Sequence, residues 1–185
     1  MKGSHFFMSV SRVLFCCLLF ACNSSNGDQN MGQVVKIADG DTFTLLMAGN
    51  QQVKVRLYGI DCPEKAQPYG KAAGRVLGAL MEGHRVRIEE KDKDRYGRTI
   101  AVAFLDDGRN INETMLAQGY AWHYIDFDKN PAWSALEAKA RDQRLGLWKE
   151  SNPVAPWEFR SAKRARSKNP KGTKPRKSNT TVLFE

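Results

Sequence analysis

From residue 33 to residue 58 apolar and polar side chains alternate with a period of two, and turn chemistry interrupts them twice, at Asp39-Gly40-Asp41 and at Ala48-Gly49-Asn50. That period puts successive side chains on opposite faces of an extended backbone. Connections this short allow only antiparallel hairpins, because a parallel crossover needs about a dozen residues or more. Three consecutive strands are therefore expected, over residues 33–38, 42–47 and 51–58. In the third, Val53, Val55 and Leu57 share one face, so Arg56 leaves on the other with Lys54 and Tyr58.

Downstream the period changes. Ala72, Ala73, Val76, Leu77 and Leu80 recur at helical spacing over residues 69–81, with Glu82-Gly83 as a stop. Residues 84–90 and 99–105 alternate again as two more strands. Asn110 or Asn112 can cap a short helix through Ala117, closed by Gly119, and residues 120–125 read as a short aromatic strand. Asn130-Pro131 opens a helix to about Gln143, with Gly146 beyond it. Five main strands with a helix inserted after the third predict a mainly β (α+β) domain over residues 33–159. The expected form is a five-stranded Greek-key barrel of OB type with about three helices packed on it. A chain of 185 residues leaves room for that one domain and tails.

The net charge of +9 is concentrated at the C-terminus: residues 160–185 carry nine basic side chains against Glu185, while residues 31–159 balance. Such a tail buries too little apolar surface to offset its ordering entropy, so it is expected to be disordered from residue 160. At the other end Lys2 and Arg12 precede an apolar run over residues 13–21. The run is short of the roughly 20 residues of a membrane span and reads as an export signal, residues 1–22. Leu19-Phe20-Ala21-Cys22 resembles a bacterial lipoprotein processing site, whose cleavage exposes Cys22 for acylation. Residues 23–32 are then a flexible tether to a membrane of the cell envelope; release by ordinary secretion is the alternative. With Cys16 and Cys17 in the signal and Cys22 lipidated, the body keeps only Cys62, so no disulfide framework is expected.

Chemistry concentrates in Arg56-Leu57-Tyr58-Gly59-Ile60-Asp61-Cys62-Pro63-Glu64. Pro63 fixes its own φ and pushes Cys62 towards an extended backbone, which gives Asp61 and Glu64 defined and different directions. One carboxylate can hold a metal while the other faces substrate. Asp39-Gly40-Asp41-Thr42 adds acids, although by itself it is an ordinary hairpin turn. In Asp94-Arg95-Tyr96-Gly97-Arg98, Gly97 can take positive φ and aim the returning strand, so Arg98 and Arg56 arrive from different strands. Paired guanidinium groups so placed suit a phosphate. Acids for a hard cation and arginines for an anion suggest metal-assisted phosphodiester cleavage. His84 and His123 lack a partner at ligand spacing, and no cysteine pair, Walker loop or dinucleotide fingerprint occurs, which removes zinc and nucleoside triphosphate readings. Trp122, Trp133, Trp148 and Trp157 read as packing residues among apolar neighbours.

These three motifs, with Ile37-Ala38 leading the first, resemble the staphylococcal nuclease (thermonuclease) family in order and approximate spacing. Asn112-Glu113, Gln118-Gly119 and Gly146-Leu147-Trp148 are similar too, so the likeness spans about residues 33–150. It implies a Ca²⁺-dependent, sugar-nonspecific nuclease on an OB barrel that cuts DNA and RNA at the P–O5′ bond and leaves 3′-phosphates. By matching position it implies Asp41 and Asp61 as carboxylate ligands, Cys62 as a carbonyl ligand, Glu64 as the residue that positions and deprotonates water, and Arg56 and Arg98 as phosphate binders. Arg95 and Tyr96 are expected to touch nucleotide, and Tyr124 and Phe127 are the nearest candidates for base stacking. A monomer is expected. Two departures stand out: Cys62 replaces a small polar residue, and residues 64–69 form a shorter loop than the family's secreted staphylococcal enzyme has. The alternatives are a catalytically silent OB module that binds single strands, and a surface adhesin acting through the basic tail.

Overall fold

The structure, a computed structural model, describes residues 30–168. The export signal, Cys22, most of the tether and the tail beyond Lys168 lie outside the described residues.

The first hairpins form as the alternation requires. Strand β1 (Met31–Ile37) pairs antiparallel with β2 (Thr42–Leu46), and β2 with β3 (Gln52–Leu57). Met31 and Gly32, expected in the tether, are corrected into β1: Gly32 pairs with Val86 of β5 (Arg85–Lys93). That strand runs beyond Glu90, past an irregularity in register between Glu90 and Asp92, and pairs antiparallel with β6 (Thr99–Leu105). The barrel closes in the order β1-β2-β3-β6-β5, with β3 and β6 parallel. This is the five-stranded OB architecture.

Inward residues fill the barrel: Phe43, Leu45, Val55, Leu57, Val86, Ala101, Ala103 and Leu105 are buried. Helix α1 (Gly70–Met81) caps this core with Ala73, Leu77 and Met81, and α2 (Ile111–Ala117) with Ile111, Met115 and Leu116. Asn110 is the cap of α2, its side chain accepting from the Glu113 N–H. Asn112 instead points inward: its Oδ1 accepts from the Ala103 N–H at 3.0 Å and its Nδ2 donates to the Tyr58 carbonyl at 2.8 Å, pinning β6 to the turn after β3.

The aromatic strand expected over residues 120–125 shortens to β7 (Trp122–His123), because its partner β4 (Ile60–Asp61) offers two residues for pairing. Helix α3 (Pro131–Asp142) follows with Pro131 at its first position. Against it lies a second apolar cluster of Trp122, Ala140, Leu147, Trp148 and Ala155. The Arg141 guanidinium sits 4.0 Å from the Trp148 ring centre and 4.7 Å from that of Trp122.

A fourth helix exceeds the expected three. Helix α4 (Pro156–Lys168) makes residues 160–168 helical, which corrects the disorder expected from residue 160 onward. Pro156 starts it, and Trp157 packs on the second cluster. Apolar contact supplied by Pro156, Trp157 and the buried Ala155 just before them offsets the ordering cost that the following charges alone could not.

Candidate active site

The turn from β1 to β2 carries Asp39 and Asp41, and it is pressed against α1 and β4. A Cβ at Gly40 would stand 2.6 Å from the Ala73 Cβ and 2.8 Å from the Cys62 Cβ, closer than carbon atoms pack, so only glycine lets these elements meet. The β2–β3 register sets Thr42 opposite Arg56, and the Leu57 N–H donates to the Asp41 carbonyl at 2.8 Å. Asp41 and Arg56 thus become neighbours through backbone pairing alone.

Arg56 folds over the turn that follows its strand. Its Nη1 donates to the Ile60 carbonyl at 2.9 Å and lies 3.0 Å from Asp41 Oδ2, while its Nη2 reaches Asp61 Oδ1 at 2.9 Å. Asp41 Oδ2 also accepts from the Cys62 N–H at 2.9 Å, and Oδ1 accepts from the Thr42 hydroxyl at 3.0 Å. Both acids are buried, Asp61 almost completely. Burial pushes the Asp41 carboxyl up to about 7, against the pull of Arg56, with Asp39 and Asp61 pushing the same way as burial. Burial works against the Arg56 charge, yet Asp41 and Asp61 together raise its pKa, so it stays a cation. The Cys62 thiol is held well above its ordinary value, first by burial and then by Asp41; its Sγ donates to the Gly40 carbonyl at 3.2 Å. It is a neutral packing group, which leaves the backbone carbonyl as the atom Cys62 can offer a cation.

Glu64 sits in a loop braced by Gln67. The Glu64 N–H donates to Gln67 Oε1 at 2.8 Å, and Gln67 Nε2 donates to the Val154 carbonyl at 2.9 Å. A Cβ at Gly70 would fall 1.9 Å from the Glu64 carbonyl oxygen, so the start of α1 is what fixes this loop. The Glu64 side chain is about two-fifths exposed, unlike the two aspartates.

Arg160 of α4 joins this group. Its Nη2 reaches Asp61 Oδ2 at 2.8 Å, its Nη1 reaches Asp61 Oδ1 at 3.2 Å, and Nη1 also reaches Glu64 Oε1 at 2.9 Å. Hydrogen bonds to Asp61 lead the effects that raise its pKa. Sequence reasoning missed Arg160 and Gln67; Trp157 packs as expected, but its stacking on Tyr124 was not foreseen. The available signal was Pro156 followed by Trp157 and Phe159, a helix start with apolar residues ahead of the basic run.

Arg98 stands apart from the acids. The parallel β3–β6 register begins at Val55 opposite Thr99 and sets Arg56 opposite Ile100, so Arg98 lies just outside β6, the strand next to that carrying Arg56. Its guanidinium is held by Asp94, with Nε 2.6 Å from Oδ2, and Asp94 Oδ1 accepts from the backbone N–H groups of Tyr96 and Arg98. Desolvation pushes the Asp94 carboxyl up, but the bonds from Arg98 and Tyr96 together outweigh it and hold that carboxyl below the usual range. Arg95 and Tyr96 lie on the exposed tip of the same turn, Arg95 Nη2 donating to the Tyr96 hydroxyl at 2.8 Å. Tyr124 stands beside the turn after β3, its N–H donating to the Gly59 carbonyl at 2.8 Å, with the exposed Phe127 ring 4.7 Å away. One face of Tyr124 is covered: the Trp157 ring lies parallel to it at 5.0 Å and 5°.

The carboxylates that Arg56 bridges, those of Asp41 and Asp61, supply oxygen atoms of the kind a hard cation such as Ca²⁺ takes. Among the described residues no three His, Cys, Asp or Glu side chains form a ready metal cage. Guanidinium groups occupy the carboxylate oxygens instead. In the barrel this array combines anion-binding arginines, buried acids and one solvent-facing carboxylate.

Comparison with known proteins gives a consistent picture. A family model described as "Staphylococcal nuclease homologue" matches residues 54–150. The chain is 40% identical over 150 residues to an uncharacterized endonuclease of Haemophilus influenzae, covering 81% of this chain and 82% of that one. It is 40% identical over 141 residues to a micrococcal nuclease of Shigella flexneri, covering 71% and 80%. It is 41% identical over 133 residues to a staphylococcal-like nuclease of Arabidopsis thaliana, covering 69% of this chain and 40% of that longer one.

Proposed function

This chain belongs to the staphylococcal nuclease family and is a nuclease, and we propose that it is a Ca²⁺-dependent one that cleaves DNA and RNA alike. The observation that carries the reading is the Arg56 guanidinium bridging Asp41 and Asp61, with Glu64 two residues past Cys62 and open to solvent. A site that only bound nucleic acid would not gather acids that repel phosphate.

Asp41, Asp61 and the Cys62 carbonyl would hold the ion. Bound there, Ca²⁺ supplies charge neutralisation for phosphate and a fixed frame for water. Glu64, the exposed acid, orients the attacking water and takes its proton as the new O–P bond forms and the P–O5′ bond breaks. Arg56 stays charged beside the ion and binds a non-bridging phosphate oxygen. Arg98 exchanges Asp94 for phosphate, stabilises the charge that grows in the transition state and assists the departing 5′-oxygen. Arg95 and Tyr96 touch the neighbouring nucleotide from the turn tip, and Tyr124 with Phe127 offers a ring to a base.

The export signal, acylation of Cys22 and a place in the cell envelope complete the reading, with extracytoplasmic nucleic acid as the substrate. Matched single-stranded DNA and RNA oligonucleotides test the specificity. Comparable Ca²⁺-dependent rates with 3′-phosphate products are expected; cleavage of one polymer alone would refute sugar indifference.

A further inference from the structure

Helix α4 reaches the acids through Arg160, in its second turn. Three contacts dock its beginning: Gln67 bonds to the Val154 carbonyl just before it, Ala155 and Pro156 are buried, and the Trp157 ring stacks on Tyr124. The last docked residue is Arg160, and every residue from 161 to 168 is exposed. The same helix therefore covers one face of the Tyr124 ring and contacts both oxygens of the acid expected to hold the cation.

We propose that α4 is a strap over the active site, with Arg160 serving as a resident counter-cation that Ca²⁺ displaces before the enzyme can act. This rests on the Ca²⁺ reading above. Asp61 Oδ1 is shared between Arg56 and Arg160, and Oδ2 belongs to Arg160. A divalent ion on Asp61 would compete with these hydrogen bonds for the carboxylate and would meet the Arg160 charge at contact distance. Withdrawal of Arg160 also frees Glu64 Oε1 for water. Arg160 contacts two of the acids proposed for catalysis, and three of its five N–H donors are directed at their carboxylates while it is seated. The exposed half of α4 carries Lys163, Arg164, Arg166 and Lys168 without an acid, so phosphate chains compete with the acids for the strap.

The test uses the full chain. Calorimetric titration with CaCl₂, without nucleic acid, compares wild type with R160Q and R160K, and amide exchange across residues 156–168 is followed with and without Ca²⁺. Apparent affinity falls by the fraction of time a site is free, so R160Q is expected to bind Ca²⁺ about tenfold more tightly. R160K, which keeps the charge but loses the fork, should fall between, and Ca²⁺ should speed exchange in the wild-type helix. Should R160Q melt early, the R160K comparison carries the test. Equal or weaker Ca²⁺ binding in folded variants overturns the proposal and makes Arg160 an orienting or phosphate-binding residue. If no variant binds Ca²⁺, cleavage in chelator decides: faster cutting by R160Q keeps the strap and discards the Ca²⁺ reading, whereas unchanged cutting discards both.

Discussion

Asp61 and Glu64 lie three residues apart and share Arg160, but burial separates their roles. Asp61 is enclosed and bonded on both oxygens, whereas Glu64 faces solvent. Glu64→Gln keeps the shape and the bond from Arg160 but cannot take a proton. Its kcat should fall by ~10²- to 10⁴-fold with substrate affinity retained, as measured by single-turnover kinetics and binding under chelator. Arg98→Ala should lower kcat on the order of 10²- to 10³-fold, more than it lowers affinity. Equal losses in the two quantities would show that Arg98 binds ground state and transition state alike. Asp41, Arg56 and Asp61 were legible because local turn chemistry and strand register bring them together. Arg160 was not, since its contacts cross 96 and 99 residues of sequence.

At the scale of elements, the strands were legible where one face had to be buried, and less so where pairing set the length. Trp122–His123 is short because β4 is short, a fact that no period in residues 120–125 announces. Helix α4 was obscured because its charges dominate a composition argument, while Pro156, Trp157 and Phe159 are enough to start and dock a helix. Asn112 shows what a buried polar side chain contributes: Asn112→Ala strands the Ala103 N–H and the Tyr58 carbonyl, and should cost about 3 kcal/mol in denaturant unfolding. Asp94 organises the turn that carries Arg98. Its folded pKa lies below the unfolded one, so its stabilisation is present above pH ~4 and disappears as pH falls through the folded value. The Tm difference between wild type and Asp94→Asn should therefore shrink on acidification; a difference that widens in acid would contradict the assignment.

For the whole molecule, the barrel is a frame that delivers the groups proposed for catalysis from separate places: Asp41 before β2, Arg56 in β3, Asp61 in β4, Glu64 before α1 and Arg98 before β6. No one motif suffices, and the closed order β1-β2-β3-β6-β5 brings the strands carrying Arg56 and following Arg98 side by side. The measurement that tests this most directly is cleavage of denatured DNA and RNA by the full chain, in Ca²⁺ and in chelator, for wild type and Glu64→Gln in parallel. The account predicts cutting of both polymers by wild type in Ca²⁺, almost none in chelator, and almost none by Glu64→Gln in either. Cutting by Glu64→Gln at the wild-type rate, or wild-type cutting that ignores the chelator, would contradict it.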